Sequence, residues 1–291
     1  MTVRYSSDQV FEYFGKADPY WCVLTHDRFK AENLSDANRQ EFFTTGEEEI
    51  AALFRTIRQR IVPDFEPATA LDFGCGVGRL LFPLARRCRA VVGIDVSEGM
   101  IREARENARR FGLSNVRLLQ GSSVLEQLEE TFDLVNTYIV LQHIPEKTGQ
   151  RLFAQLVERV APGGIGAIHV LYSFAFVGDP TAFWPSVGWP PVSEALSYQP
   201  GVRETAGELW RAFARWLAKR GHRTRSLGQG TGPLPPAAPP TANDIPMNPY
   251  SLNPLFQILQ FAGAKEVLAQ FTDHAGNLGV MLIFRKPVAR A

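Results

Sequence analysis

The stretch LDFGCGVGR, residues 71–79, places Gly74, Gly76 and Gly78 at alternate positions directly after the apolar run TALDF. A strand that runs into a glycine-rich turn and then a helix lets the backbone approach a ligand at the carboxyl edge of a parallel sheet. The order here is G-x-G-x-G, whereas a dinucleotide pyrophosphate sits on G-x-G-x-x-G at a helix N-terminus. Asp72 also puts a carboxylate inside the turn, which repels a pyrophosphate and favours a cationic or hydroxylated ligand. The next apolar run, AVVGID, ends in Asp95, 23 residues after Asp72. That is the spacing of an acid that grips ribose hydroxyls. The competing reading makes the glycines a tight strand-to-helix turn and Asp95 a helix N-cap for SEGMIREAR.

From residue 69 the chain alternates short apolar runs with amphipathic ones. TALDF, AVVGID, VRLLQG, FDLVNTYI and IGAIHVLY read as strands; GRLLFPLARRC, SEGMIREARENARRFG and KTGQRLFAQLVERV read as helices. This alternation predicts a doubly wound α/β sheet with parallel strands. Pro83 inside the first of these helices predicts an early kink. A helix (NPLFQILQFAG) and two strands (KEVLAQF and LGVMLIF) close the chain. Only TDHAGN separates those strands, too little for a parallel crossover, so the last strand must be antiparallel.

Four segments follow. Residues 1–65 form a helical, aromatic-rich N-terminal cap or lid. A loop near EFFTTG precedes a helix that carries Glu47, Glu48 and Glu49 in its first turn, at the positive end of the dipole. Residues 66–172 form the ligand-binding core, 173–250 a substrate-side insertion with a mobile Pro/Gly-rich loop, and 251–291 the end of the core sheet. Within the insertion, Leu209, Trp210, Phe213, Trp216 and Leu217 make an apolar stripe. Six basic residues (Arg211, Arg215, Lys219, Arg220, Arg223 and Arg225) stand among them. The segment 209–225 is either a helix with a solvated face or a site for an acidic acceptor or an anionic lipid surface.

A formal net charge of +1 gives no global pull towards nucleic acid. The N-terminus has no apolar signal core, and no apolar run reaches the length of a membrane span. Three cysteines form neither a paired framework nor a metal spacing. The expectation is a cytoplasmic protein.

In order, LDFGCGVGR, GIDVSEGMI, NVRLLQGSS, FDLVNTYIVLQHI and LVERVAPGGIGAIHV resemble the class I S-adenosylmethionine-dependent methyltransferases, most of all their small-molecule branch. The resemblance implies a Rossmann-like, doubly wound seven-stranded sheet with an antiparallel last strand. It implies S-adenosylmethionine as cofactor and S-adenosylhomocysteine as product. Asp72, Gly74, Gly76 and Gly78 would shape the bed of the methionine part, and Asp95 would hold the ribose. Val96 and Met100 would lie near the adenine face, and Ser122 and Ser123 at its edge. The family more often has Asp where Ser122 stands. Asn136 and Tyr138 would close the fourth strand where cofactor and acceptor meet.

No N/D-P-P-Y follows the fourth strand, no Pro-Cys pair offers a nucleophile, and no extra Asp after FDLV suggests a metal-dependent catechol-type site. A metal-independent transfer to a hydroxyl, of a sugar or natural-product intermediate, is the expectation. The alternatives are a small amine acceptor, a non-catalytic cofactor-binding protein and an NAD-dependent dehydrogenase. A hydroxyl acceptor calls for a base. His274 in FTDHAGN and His143 in LQHI are the candidates, with Trp21, Tyr138 and Asp273 as substrate contacts. His169 reads as a structural residue of a buried strand. Tyr13, Phe14, Tyr20, Trp21, His26, Arg28 and Phe29 form either a lid or the core of the cap.

Overall fold

In the computed structural model, which describes residues 5–121, 123–174 and 239–288, the alternation from residue 69 becomes a single seven-stranded sheet. The strands are β1 (Thr69–Phe73), β2 (Ala90–Asp95), β3 (Val116–Gln120), β4 (Phe132–Thr137), β5 (Val160–Phe174), β6 (Val267–His274) and β7 (Asn277–Arg285). They lie in the order β3-β2-β1-β4-β5-β7-β6. The neighbours from β3 to β5 pair in parallel, and β7 runs antiparallel to both β5 and β6. All seven strand runs are where the apolar pattern puts them. The hairpin is tighter than TDHAGN suggests, because β6 runs through His274 and only Ala275 and Gly276 make the turn. Both have positive φ, 54° and 87°, the backbone of a type I′ turn matched to the twist of a hairpin.

Helices cover both faces because the strands alternate large apolar side chains between them. On one face Ala70, Leu134, Ile165 and Ile283 pack with α5 (Glu98–Arg110) and the N-terminal helices α2 (Pro19–Val23) and α3 (Asp36–Arg60), while α1 (Ser7–Ala17) lies against the start of α5 through Gly15 and Gly99. On the other, Leu71, Val135, Ile168 and Leu282 pack with α7 (Glu146–Arg159) and α8 (Leu252–Phe261). Two short helices, α4 (Leu81–Ala85) and α6 (Val124–Gln127), complete the described set. The N-terminal region shares the sheet's own core: the Phe43 ring lies 5.7 Å from that of Phe82 and 4.8 Å from that of Phe111.

Two helix expectations are corrected. The segment EFFTTG is no loop. It continues α3, which starts at Asp36 with Ser35 as N-cap, so Glu47–Glu49 lie in mid-helix rather than at the positive end. Glu47 instead pairs with Arg86 and Arg87. Pro83 does not kink a long helix either. It falls in the first turn of the five-residue α4, where no intrahelical N–H is needed. The insertion's apolar stripe and basic run at 209–225 lie outside the described residues, as do Ser122 and the Pro/Gly-rich loop up to residue 238; the end of that loop is described and holds a helical turn at Ala242–Asp244.

Gly46 explains how α3 continues through TTG. A Cβ there would stand 2.0 Å from the carbonyl oxygen of Arg79, so the missing side chain lets the helix lie directly on the turn after β1. Helix propensity alone makes Gly46→Ala stabilising by about 1 kcal/mol. The contact reverses the sign: Gly46→Ala should destabilise by roughly 1–3 kcal/mol through overpacking. Urea unfolding of both chains checks this, and a rise in the midpoint would contradict the packing.

Candidate active site

The carboxyl ends of β1, β2 and β4 open into a cavity of about 550 Å³. Asp72, Gly74, Gly76, Asp95, Val96, Met100, Tyr138 and His143 all line it. The glycine turn is built for close backbone packing. Gly74 and Gly76 have φ of 75° and 51°. Added Cβ atoms would come within 2.3 Å of Val140 and 2.8 Å of Val23.

Four of the turn's amides are already spent. Gly74 and Cys75 N–H both donate to Ile94 O, Gly76 N–H donates to Asp95 Oδ2, and Gly78 N–H donates to Cys75 O. Gly74, Cys75 and Gly76 N–H are thus not free to cradle a pyrophosphate. Asp95 also accepts from Ser97 N–H, at 2.9 Å, the same distance as from Gly76. A carboxylate has about four acceptor positions, so these backbone bonds leave acceptor capacity for a ligand hydroxyl. Burial raises the pKa of Asp95, against the opposing hydrogen bonds from Ser97, Gly76 and Val96. Asp72 is 2% exposed. Its Oδ1 accepts from Asn136 Nδ2 at 2.8 Å. Burial pushes its carboxyl up to about 7, with Asn136 and Arg79 pulling the other way.

Two carboxylates at the ends of β1 and β2 and a pocket of this size fit a nucleoside that carries an amino acid, the shape of S-adenosylmethionine.

At the mouth of this cavity the Tyr138 hydroxyl lies 3.3 Å from His274 Nε2. The topology makes the meeting possible, because β4 ends and β6 turns at the same edge. Burial, with Glu49 nearby, raises Tyr138 to about 12, so its hydroxyl keeps its proton at neutral pH. His169 completes a triangle of rings, 5.0 Å from Tyr138 and 5.7 Å from His274. It is 1% exposed. Burial and the nearby His274 push it down to about 3, so it is neutral. Its Nε2 lies 2.9 Å from Thr272 Oγ1, in space that Gly279 leaves open. Ile139 beside Tyr138 has φ of 58°, a strained conformation for a β-branched residue of a kind that gathers at functional sites.

His143 is less available than the motif LQHI suggests. Its Nδ1 lies 2.8 Å from Pro246 O, and its ring packs 5.0 Å from Phe11. Burial lowers its pKa, although the carbonyls of Pro246 and Ile139 oppose this. These contacts make it a tether between the turn Leu141–His143, α1 and the segment around Pro246.

Five other candidates do not line the cavity. Asn136 is buried behind Asp72 as its hydrogen-bond donor. Gly78 faces the Phe82 ring. Ser123 is exposed ahead of α6. Trp21 packs on Phe14 at 5.4 Å, and exposed Asp273 holds the hairpin by accepting from Gly276 N–H at 2.7 Å. The motifs do not mark the roof formed by α1, where Ser7 Oγ donates to His143 O at 2.9 Å and Glu12 accepts from Ser97 Oγ at 2.8 Å. An aromatic, amphipathic N-terminus is its one sequence signal. Of the expected cap or lid residues, Tyr20 and Phe29 are core.

Among the described residues no three His, Cys, Asp or Glu side chains cluster as metal ligands, and no helix is long and apolar enough to cross a membrane.

Comparison with known proteins agrees with this geometry. Residues 70–164 match the family described as "Methyltransferase domain". The chain is 35% identical over 114 residues to trans-aconitate 2-methyltransferase of Deinococcus radiodurans, spanning 38% of this chain and 41% of that protein. It is 31% identical over 186 residues to aklanonic acid methyltransferase DauC of Streptomyces sp. strain C5, spanning 62% of this chain and 82% of that one. Magnesium protoporphyrin IX methyltransferase (ChlM) of Synechocystis PCC 6803, solved with bound SAM, shares the fold with a TM-score of 0.51 at 17% identity, over 98% of this chain and 100% of that chain. The nicotinamide alternative falls, and the chain belongs to the class I S-adenosylmethionine-dependent methyltransferases.

Proposed function

We propose that this chain transfers the methyl group of S-adenosylmethionine to an oxygen of a small-molecule acceptor, with His274 rather than a metal ion taking up the acceptor's proton. The supporting observation is the 3.3 Å contact of Tyr138 Oη with His274 Nε2, made by a tyrosine that lines the same cavity as Asp72 and Asp95. The relatives named for trans-aconitate and aklanonic acid are consistent with a small acceptor.

The cofactor, when bound, supplies a methyl group already activated on a sulfonium. Alignment, exclusion of water and removal of a proton are left to the chain. On this reading Asp95 holds the ribose hydroxyls, and Val96 and Met100 flank the adenine. Asp72, Gly74 and Gly76 shape the amino-acid end, with Asn136 fixing Asp72 from behind. The α1 roof keeps water out. A hydroxyl acceptor is hardly ionised near neutral pH, so it needs a base within hydrogen-bond reach. Tyr138 orients the acceptor and the His274 imidazole, and His169, neutral and buried, keeps both rings in place.

Three outcomes follow. Asp95→Ala should weaken S-adenosylhomocysteine binding by about 1–3 kcal/mol, the cost of unpairing polar groups in a site; unchanged calorimetric affinity would remove Asp95 from the ribose. His274→Gln should lower kcat for radiolabelled methyl transfer to a panel of hydroxylated acceptors while leaving S-adenosylhomocysteine affinity intact. Equal turnover would take His274 out of the reaction. The third concerns Asp72, raised to about 7 in the fold from an ordinary value near 4. The folded state then holds a proton that the unfolded chain has lost. This contribution to stability is complete below about pH 4 and vanishes as pH rises through about 7. Asp72→Asn should therefore gain stability relative to wild type across that window and level off above it. Urea unfolding over a pH series tests this, and a constant difference would contradict it.

A further inference from the structure

A second cavity, of about 510 Å³, opens between α3 and the β6–β7 turn. It shares Arg79, Tyr138 and Ile139 with the first cavity and adds His274, Glu49 and Ala52. Tyr138 therefore stands between the two spaces, and its partner His274 lines the second.

Arg79 gives this junction its chemistry. It is 6% exposed. Among the described residues its one hydrogen bond runs from Nη1 to Thr45 Oγ1 at 3.3 Å, and it forms no ion pair there. A guanidinium carries five N–H donors. Burying one without a carboxylate partner is costly, because desolvation is not repaid. Glu49 and Asp72 act on it through space without reaching ion-pair distance. The pocket's other charged groups are more accessible: Glu48 and Arg55 are exposed, and Glu49 is half-buried. Their charges offset one another, and the deepest cation is left with unfilled donors facing both spaces.

We infer that the second cavity receives the methyl acceptor and that Arg79 takes a carboxylate of that acceptor as its bidentate partner. A planar carboxylate matches the guanidinium fork, adding geometric selection to charge. This assignment rests on the methyltransferase reading above and adds the acceptor's chemical class and entry side.

The test uses the full chain saturated with S-adenosylhomocysteine and titrated calorimetrically with 4-hydroxybenzoate and its neutral counterpart 4-hydroxybenzyl alcohol. The acid should bind about tenfold or more tightly than the alcohol, the range of a hydrogen bond to a charged group. Arg79→Gln should erase that preference. Ala52→Phe, on the accessible side of α3 and outside the first cavity, should exclude both probes. S-Adenosylhomocysteine affinity should stay within about twofold in both variants, since neither removes a ribose contact. Equal binding of acid and alcohol, failure of the acid to bind the loaded wild type, or acid binding that survives Ala52→Phe would each overturn the assignment. Loss of S-adenosylhomocysteine affinity in Arg79→Gln with acid preference retained would also overturn it, giving Arg79 to the cofactor's own carboxylate. A wild-type chain that does not bind S-adenosylhomocysteine overturns the methyltransferase reading itself, a result distinct from these.

Discussion

The Asp95 carboxylate is the hinge on which the site depends. By accepting from Gly76 N–H and Ser97 N–H, it ties the turn after β1 to the start of α5. It also spends the amide that would otherwise bind an anion. A second tie, Asn136 to Asp72, joins β1 to β4. Together these two carboxylates hold three strand ends in register with one cavity. Removing either tie would leave a buried acid short of donors and loosen the mouth where Tyr138 sits.

Most of the fold was legible because its central strands are apolar runs bounded by turn residues. TALDF and AVVGID have no reading other than central parallel strands. The antiparallel last strand followed from a connection too short for a crossover. The start of α3 was not legible, because TTG is a turn signal in isolation. Gly46 tolerates the helix only because Arg79, 33 positions further on, needs its space. That is a tertiary contact, invisible to local propensity. The shortness of α4 was half legible: Pro83 marked a disturbance, and its place in the first turn depended on where the helix began.

The candidate site divides in the same way. Asp72, Gly74, Gly76 and Asp95 lie on two adjacent motifs, and all four line one cavity. Their convergence follows from parallel strand order. Tyr138 and His274 are 136 positions apart, yet both were placed at the carboxyl edge by topology, and the structure brings them together. Trp21 packs on Phe14 and Asp273 closes the hairpin turn, contacts that residue type alone does not reveal. Arg79 passed unremarked because an arginine after a glycine turn reads as solvated. Only the α3 packing that buries it turns its unfilled donors into a signal.

The central claim is that one cavity holds the donor with its reactive end towards Tyr138. A crystal structure of the full chain with S-adenosylhomocysteine tests it most directly. The account predicts the ribose hydroxyls on the Asp95 carboxylate, the amino-acid end over Gly74 and Gly76, and the sulfur facing the Tyr138–His274 pair. A ribose away from Asp95, or a sulfur turned towards Thr148 and Leu152, would contradict it.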